Sequence, residues 1–349
     1  MTLRGMRMKV RITSLALALV LLFTSTTGCS LSKKSNNGNI KETITTSDTK
    51  NDTELSLQDR MIAFIELIQN SDVDIDLTNF YQKARTLQII YEKTGDQYYN
   101  SYYDMDQNVI FINIDSPGAF EHELLHVIFN NGLDLGSVFI EEGITELLSS
   151  ELNNTPNTYR YNVGVIKILS TILGRDKVME CINKKDLSIL TTGLASIKPA
   201  VKDAEEVMQY LDYEHRLNQQ MHQAFFKEGN LDKFKETEEY VSLKNVRNDL
   251  TTRLKIYTKN YFINKVREDG INPEEVLIEM LSLLDVFEVE LFDPDVEIER
   301  ANDFFLRDEV SYLMNKYGID EDTYNNCYEL SKMRTYLVGS SGTSISKSK

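Results

Sequence analysis

From residue 56 onward, apolar side chains recur every three to four positions. The first set, Leu57, Met61, Phe64, Ile65 and Ile68, shares one face of a helix. Five prolines and 16 glycines in 349 residues leave few places where a helix must stop. The chain is therefore expected to be mainly α. Apolar and charged fractions of 41% and 26% match ordinary globular proteins and leave ample material for a core.

A second helix is expected over about 77–93, stopping before Gly95. The stretch DQYYNSYYDMDQNVIFINID is rich in aromatic and β-branched residues. It predicts a hairpin turning around Asp104–Asn108, with a second strand over Val109–Ile114. Ser116 at N-cap and Pro117 at the first helical position start the next helix, which ends at Asn130-Asn131-Gly132. FIEEGITELLSSEL follows as a helix, then 159–173, stopping at Gly174, and 175–197. Beyond 203 the pattern is helical throughout. Asn272-Pro273-Glu274-Glu275 opens one helix, and a last one runs from about 295 to 317, ending at Gly318. The expected class is α+β, mainly α with a small sheet.

The N-terminus reads as an export address. Residues 1–28 hold Arg4, Arg7, Lys9 and Arg11 and no acid, followed by an apolar run over 12–23. That run is too short to span a bilayer comfortably, which takes roughly 20 residues, and suits a signal peptide. It ends in Thr26-Thr27-Gly28-Cys29, which resembles a bacterial lipobox, and that implies lipidation at Cys29. The expected location is the bacterial cell membrane, anchored there and facing the extracytoplasmic side. Residues 29–55 are polar and read as a flexible tether. The plan is a signal peptide 1–28, the tether, a first folded region 56–202, a helical region 203–338 and a disordered tail 339–349, with a soft boundary near 203. Cys181 and Cys327 could pair or stay free.

The net charge is −16, and −20 once the first 28 residues are set aside, with 34 basic against 54 acidic side chains. That argues against a nucleic-acid partner, since phosphate binding needs a basic surface.

Chemistry concentrates in FEHELLHVIF, residues 120–129. His122 and His126 are four apart and project from one helix face, so both can reach one Zn²⁺. Glu123 is displaced from them and able to act as general base, the HExxH arrangement. Such a pattern arises by chance in on the order of one chain in a hundred, so context decides. A strand precedes it, apolar Leu124, Leu125, Val127, Ile128 and Phe129 surround it, and a second helix offers Glu141, Glu142 and Glu146. Two His and one Glu form a catalytic zinc set.

FEHELLHVIF followed by FIEEGITELLS resembles the gluzincin metallopeptidases, particularly the small bacterial peptidase MA-like group, whose second motif reads EGxxE or EGxAEY. The resemblance implies a zincin-like catalytic domain, a peptide or protein substrate and hydrolysis with Glu123 as base. It implies Glu142 as third zinc ligand and Glu146 as the carboxylate that orients a ligand histidine. Glu146 stays a rival third ligand, because 15 residues separate His126 from Glu142. Gly143 is expected to let the two motif helices pack closely, and Glu121 and Glu141 to face solvent. The strand over 109–114 is expected to bind substrate edge-on. Tyr159 and Tyr161 are the candidates for an oxyanion donor, with Tyr161 the choice, against the alternative that both are packing or surface tyrosines. His215 and His222, seven apart on one face, could bind metal or substrate or be exposed. A monomer is expected. The rival from another class is an inactive zincin-fold lipoprotein that serves as a binding module.

Overall fold

The computed structural model describes residues 57–92, 101–113, 119–157, 159–198, 201–228, 233, 235–291 and 305–338. The signal segment, Cys29, the tether, the helix start at Ser116-Pro117, the first part of the helix expected over 295–317 and the tail lie outside the described residues. The chain divides into two compact units. The protein is mainly helical with one three-stranded sheet, the expected class.

The first unit comprises the residues up to Asn70 together with Asp76–Asn131. It contains α1 (Leu57–Asn70), α2 (Thr78–Lys83), β1 (Gln88–Glu92), β2 (Tyr102–Asp104), β3 (Val109–Asn113) and α3 (Phe120–Phe129). Met61, Phe64, Ile65 and Ile68 of α1 are all buried, each contributing about 1.5–3 kcal/mol by leaving water. The sheet order is β1-β3-β2. β1 runs parallel to β3 with Gln88 opposite Val109, and β2 antiparallel with Asp104 opposite Val109. The hairpin turns where expected. Asn108 takes the left-handed conformation at φ 53°, which Asn tolerates better than most residues. Its amide fixes the turn by donating to the Lys83 carbonyl and to Thr86 Oγ1, both at 2.9 Å.

Two expectations change in this unit. The helix expected over 77–93 ends at Lys83, and QIIYE becomes β1. Ile89, Ile90 and Tyr91 favour a strand, and β3 supplies the parallel partner. β3 also lies at the centre of the sheet, with both edges paired. Among the described residues it therefore has no free edge for a substrate strand, and β1 and β2 are the edge strands.

The second unit comprises Ser71–Ile75 and Gly132 onward, so residue 203 falls inside it. Its helices are α4 (Val138–Asn153), α5 (Arg160–Leu173), α6 (Arg175–Lys184), α7 (Ser188–Ile197), α8 (Val201–Glu228), α9 (Glu238–Lys265), α10 (Pro273–Asp285), α11 (Arg307–Tyr317) and α12 (Glu321–Ser331). A π-helical turn, Val286–Glu290, extends α10. The one helix expected over 175–197 is two. Lys185 is left-handed at φ 53°, and the Asp186 carboxylate accepts from the Ser188 backbone and hydroxyl at 3.0 and 2.6 Å, a local turn that separates the two helices. α12 was not expected. It opens at Asp320, whose side chain accepts from the Thr323 amide at 2.8 Å. The long helices α8 and α9 pack against each other, and α4 packs on α5 and α8. Among the described cysteines, Cys181 and Cys327 are buried and free, and burial pushes the Cys181 thiol up to about 12.

Candidate metal centre

α3 is buried along most of its length: Phe120, Leu124, Leu125, Val127, Ile128 and Phe129 are each at most 3% exposed. Inside that apolar jacket His122 is 7% and Glu123 5% exposed. The four-residue spacing brings Nε2 of His122 and Nε2 of His126 to 3.2 Å, with the rings inclined at 69°.

Zinc–imidazole bonds are about 2.0–2.1 Å, and two such bonds closing this gap meet at roughly 100°, near the tetrahedral angle. The pair thus fits zinc as it stands. The same separation suits an N–H···N hydrogen bond when one ring carries its proton on Nε2. Metal and hydrogen bond are rival occupants of one geometry, and metal analysis separates them.

Glu121, next to the motif, does not face solvent. Arg60 from α1 forks onto its carboxylate with contacts of 2.8, 2.9 and 3.1 Å and lies over the Phe120 ring at 5.1 Å. This bidentate clamp, of the kind that is strong and directional, ties the first turn of α3 to α1. At the other end of α3, Lys83 donates to the Asn130 carbonyl at 2.5 Å, and the Asn130 amide donates to the Tyr103 hydroxyl at 3.3 Å. The histidine helix is therefore held at both ends.

In the second unit α4 carries the glutamates. Ser137 caps it, with Oγ accepting from the Ile140 amide at 3.3 Å while donating to Asp212 of α8 at 2.6 Å. Glu142 is partly exposed and Glu146, one turn on, is 7% exposed. Glu141 does not face solvent freely: Lys185 pairs with it at 2.9 Å. Gly143 does allow a close approach, but of α5. A Cβ there would stand 2.7 Å from Ile166 Cγ1 and 3.1 Å from the Asn162 carbonyl oxygen.

Tyr161 is placed for packing. It is 7% exposed, its hydroxyl donates to the Arg247 carbonyl at 3.3 Å, and the Arg247 guanidinium lies over its ring at 4.8 Å. Burial drives its hydroxyl well above the usual tyrosine range. Its hydroxyl is thus enclosed and already bonded, which does not favour the expected role of oxyanion donor. Tyr159 sits at the N-cap of α5, with no side-chain cap bond.

His215, on α8, is half-buried, and burial holds its imidazole below the usual range, against the opposing pull of Glu142 and Asp212. The Glu142 charge thus reaches it. His215 Nε2 lies 3.0 Å from the Gln219 amide nitrogen. The His222 side chain lies outside the described residues. Asp212, Arg60 and Lys185 escaped sequence reasoning, because their partners are remote in the chain and no local motif marks them.

No protein-family model, curated protein or solved structure matches the chain.

Proposed function

We propose that the chain is a membrane-anchored, extracytoplasmic zinc peptidase in which His122, His126 and Glu142 hold the metal and Glu123 is the general base. The observation that carries this reading is the 3.2 Å approach of two imidazole nitrogens on a buried helix. His122, His126 and Glu142 carry the donor types of a catalytic zinc set, and the motif match, with Glu142 directly before Gly143, favours Glu142 over Glu146 as third ligand. Zinc, when bound, supplies a Lewis acid that acidifies water and polarises a carbonyl.

The protein's own groups do the rest. Glu123 takes a proton from the water that attacks the peptide carbonyl and delivers it to the departing amine. Its burial at 5% exposure keeps bulk water from competing for that proton. Glu146 holds a ligand histidine in its orientation. The anchor at Cys29 and the tether keep the folded units at the membrane.

The test is hydrolysis of a peptide library by purified protein and by Glu123→Gln. The variant should keep its metal and lose roughly 10²- to 10⁴-fold in rate. Equal rates in the two proteins remove Glu123 from the chemistry. Bound metal without cleavage of any peptide by the unaltered protein would instead favour a binding module.

A further inference from the structure

A glutamate stands directly before a proposed metal ligand in both motifs, Glu121 before His122 and Glu141 before Glu142. Successive residues on an α-helix point about 100° apart, so neither glutamate shares the direction of the ligand it precedes. The structure gives each of them a cation from a remote part of the chain.

In the first unit that cation is Arg60, 61 residues before Glu121. Its Nε and one terminal nitrogen fork onto the carboxylate at 3.1, 2.9 and 2.8 Å. The two side chains are 26% and 14% exposed. Arg60 projects from α1, whose Met61, Phe64, Ile65 and Ile68 are buried, so its base is fixed. A planar fork holds direction as well as distance, and it opposes rotation of the first turn of α3 about the helix axis.

In the second unit the device recurs with a lysine, and here it runs against a backbone preference. Lys185 follows α6 in the left-handed conformation at φ 53°. The Asp186 amide donates to the Cys181 carbonyl at 3.1 Å, a helix ending in which glycine is favoured at the position of Lys185. A lysine there is strained. Its side chain gives a reason for its presence: it is 3% exposed, with Nζ 2.9 Å from the Glu141 carboxylate. An ammonium so enclosed needs that partner, unlike the members of an exposed surface pair.

We propose that Arg60 and Lys185 are positioning residues: by clamping Glu121 and Glu141 they fix the rotation of the two motif helices, and with it the aim of His122 and Glu123 on α3 and of Glu142 on α4. The proposal rests on the metal-site reading above. Metal-binding and catalytic groups must be held to within about 0.5 Å and 10–20°, which a clamp one residue away achieves without touching the ion. A clamped carboxylate is also not free to swing onto a metal held by its neighbour.

The experiment titrates Co²⁺ into the chelator-treated full chain, reading affinity and the visible absorption of the bound ion, and follows hydrolysis of one cleaved peptide. Loss of a group that orients ligands costs roughly 10- to 100-fold in metal affinity or activity. Lys185→Gly suits the left-handed turn and should keep its circular dichroism spectrum. It should nevertheless bind Co²⁺ at least about tenfold more weakly, with shifted absorption bands and a lower kcat at unchanged KM. Arg60→Ala should weaken Co²⁺ binding to a similar degree. Arg60→Lys should restore only part of it, because an ammonium cannot fork, and it carries the test if Arg60→Ala does not fold. Unchanged affinity, absorption and kcat on substitution of either residue overturns the role of that residue, and so does a lower Tm with Co²⁺ binding unchanged. An unaltered chain that binds no Co²⁺ overturns the metal-site reading itself, an outcome distinct from a bound ion that is indifferent to both substitutions.

Discussion

Tyr161 and Gly143 show how much a single side chain decides. If Tyr161 serves packing, Tyr161→Phe should lose about 1–2 kcal/mol of stability with the hydroxyl's bonding to the Arg247 carbonyl and to Thr251 and leave peptide hydrolysis within about threefold. A large drop in kcat at unchanged stability would return it to the chemistry. Gly143→Ala puts a methyl group 2.7 Å from Ile166 and 3.1 Å from a backbone oxygen. It should cost about 1–3 kcal/mol in urea denaturation, and a neutral result would contradict the closeness of α4 and α5. At this scale, the sequence showed His122, Glu123 and His126 because their relation is local: four residues on one helix. The partners of Glu121 and Glu141 were not legible. Arg60 and Lys185 reach them across long stretches of chain, and both carboxylates had been placed in solvent.

Elements were legible where local signals were strong and unopposed. The stop at Gly174 and the hairpin turn at Asn108 each rest on one residue's backbone chemistry. QIIYE was misread because its partner, β3, lies some twenty residues away and overrides local periodicity. The break between α6 and α7 was missed because it rests on a lysine in a left-handed conformation, which no propensity marks. One long-range tether also sets an element in place. The Glu151 carboxylate, near the end of α4, accepts from the amides of Tyr336, Leu337 and Val338 at 2.6, 2.9 and 2.8 Å. Glu151→Ala strands three donors at once and should cost about 2–4 kcal/mol. Limited proteolysis should then cut near residue 335 well before global unfolding, and an unchanged cleavage pattern would show the segment to be held by other contacts.

Across the whole molecule, charge and burial set the pH dependence. Glu151, Glu214, Glu279 and Glu290 all have their carboxyl groups pushed up, in each case chiefly by burial. A carboxyl whose folded pKa exceeds its unfolded value binds protons more readily in the folded state. Its contribution is therefore fully present below the ordinary value of 4.5 and is lost as pH rises through the folded pKa. His215, held low by burial, acts the other way and loses its contribution as pH falls below about 6.5. Asp212 is pushed up by burial as well, so the raised carboxyls outnumber the one lowered imidazole, and the net charge of −16 adds self-repulsion that acid relieves. With metal removed by a chelator, Tm should rise as pH falls from 7.5 toward 5, and a steady fall over that interval would contradict the assignment.

The central claim is that the paired imidazoles on the buried helix are a zinc site, and metal content tests it most directly. Elemental analysis of the purified protein should give about one zinc per chain, retained in Glu123→Gln, strongly reduced in Glu142→Ala and absent in His122→Ala. Protein that carries no zinc, or that carries as much in His122→Ala as in the unaltered chain, would contradict it.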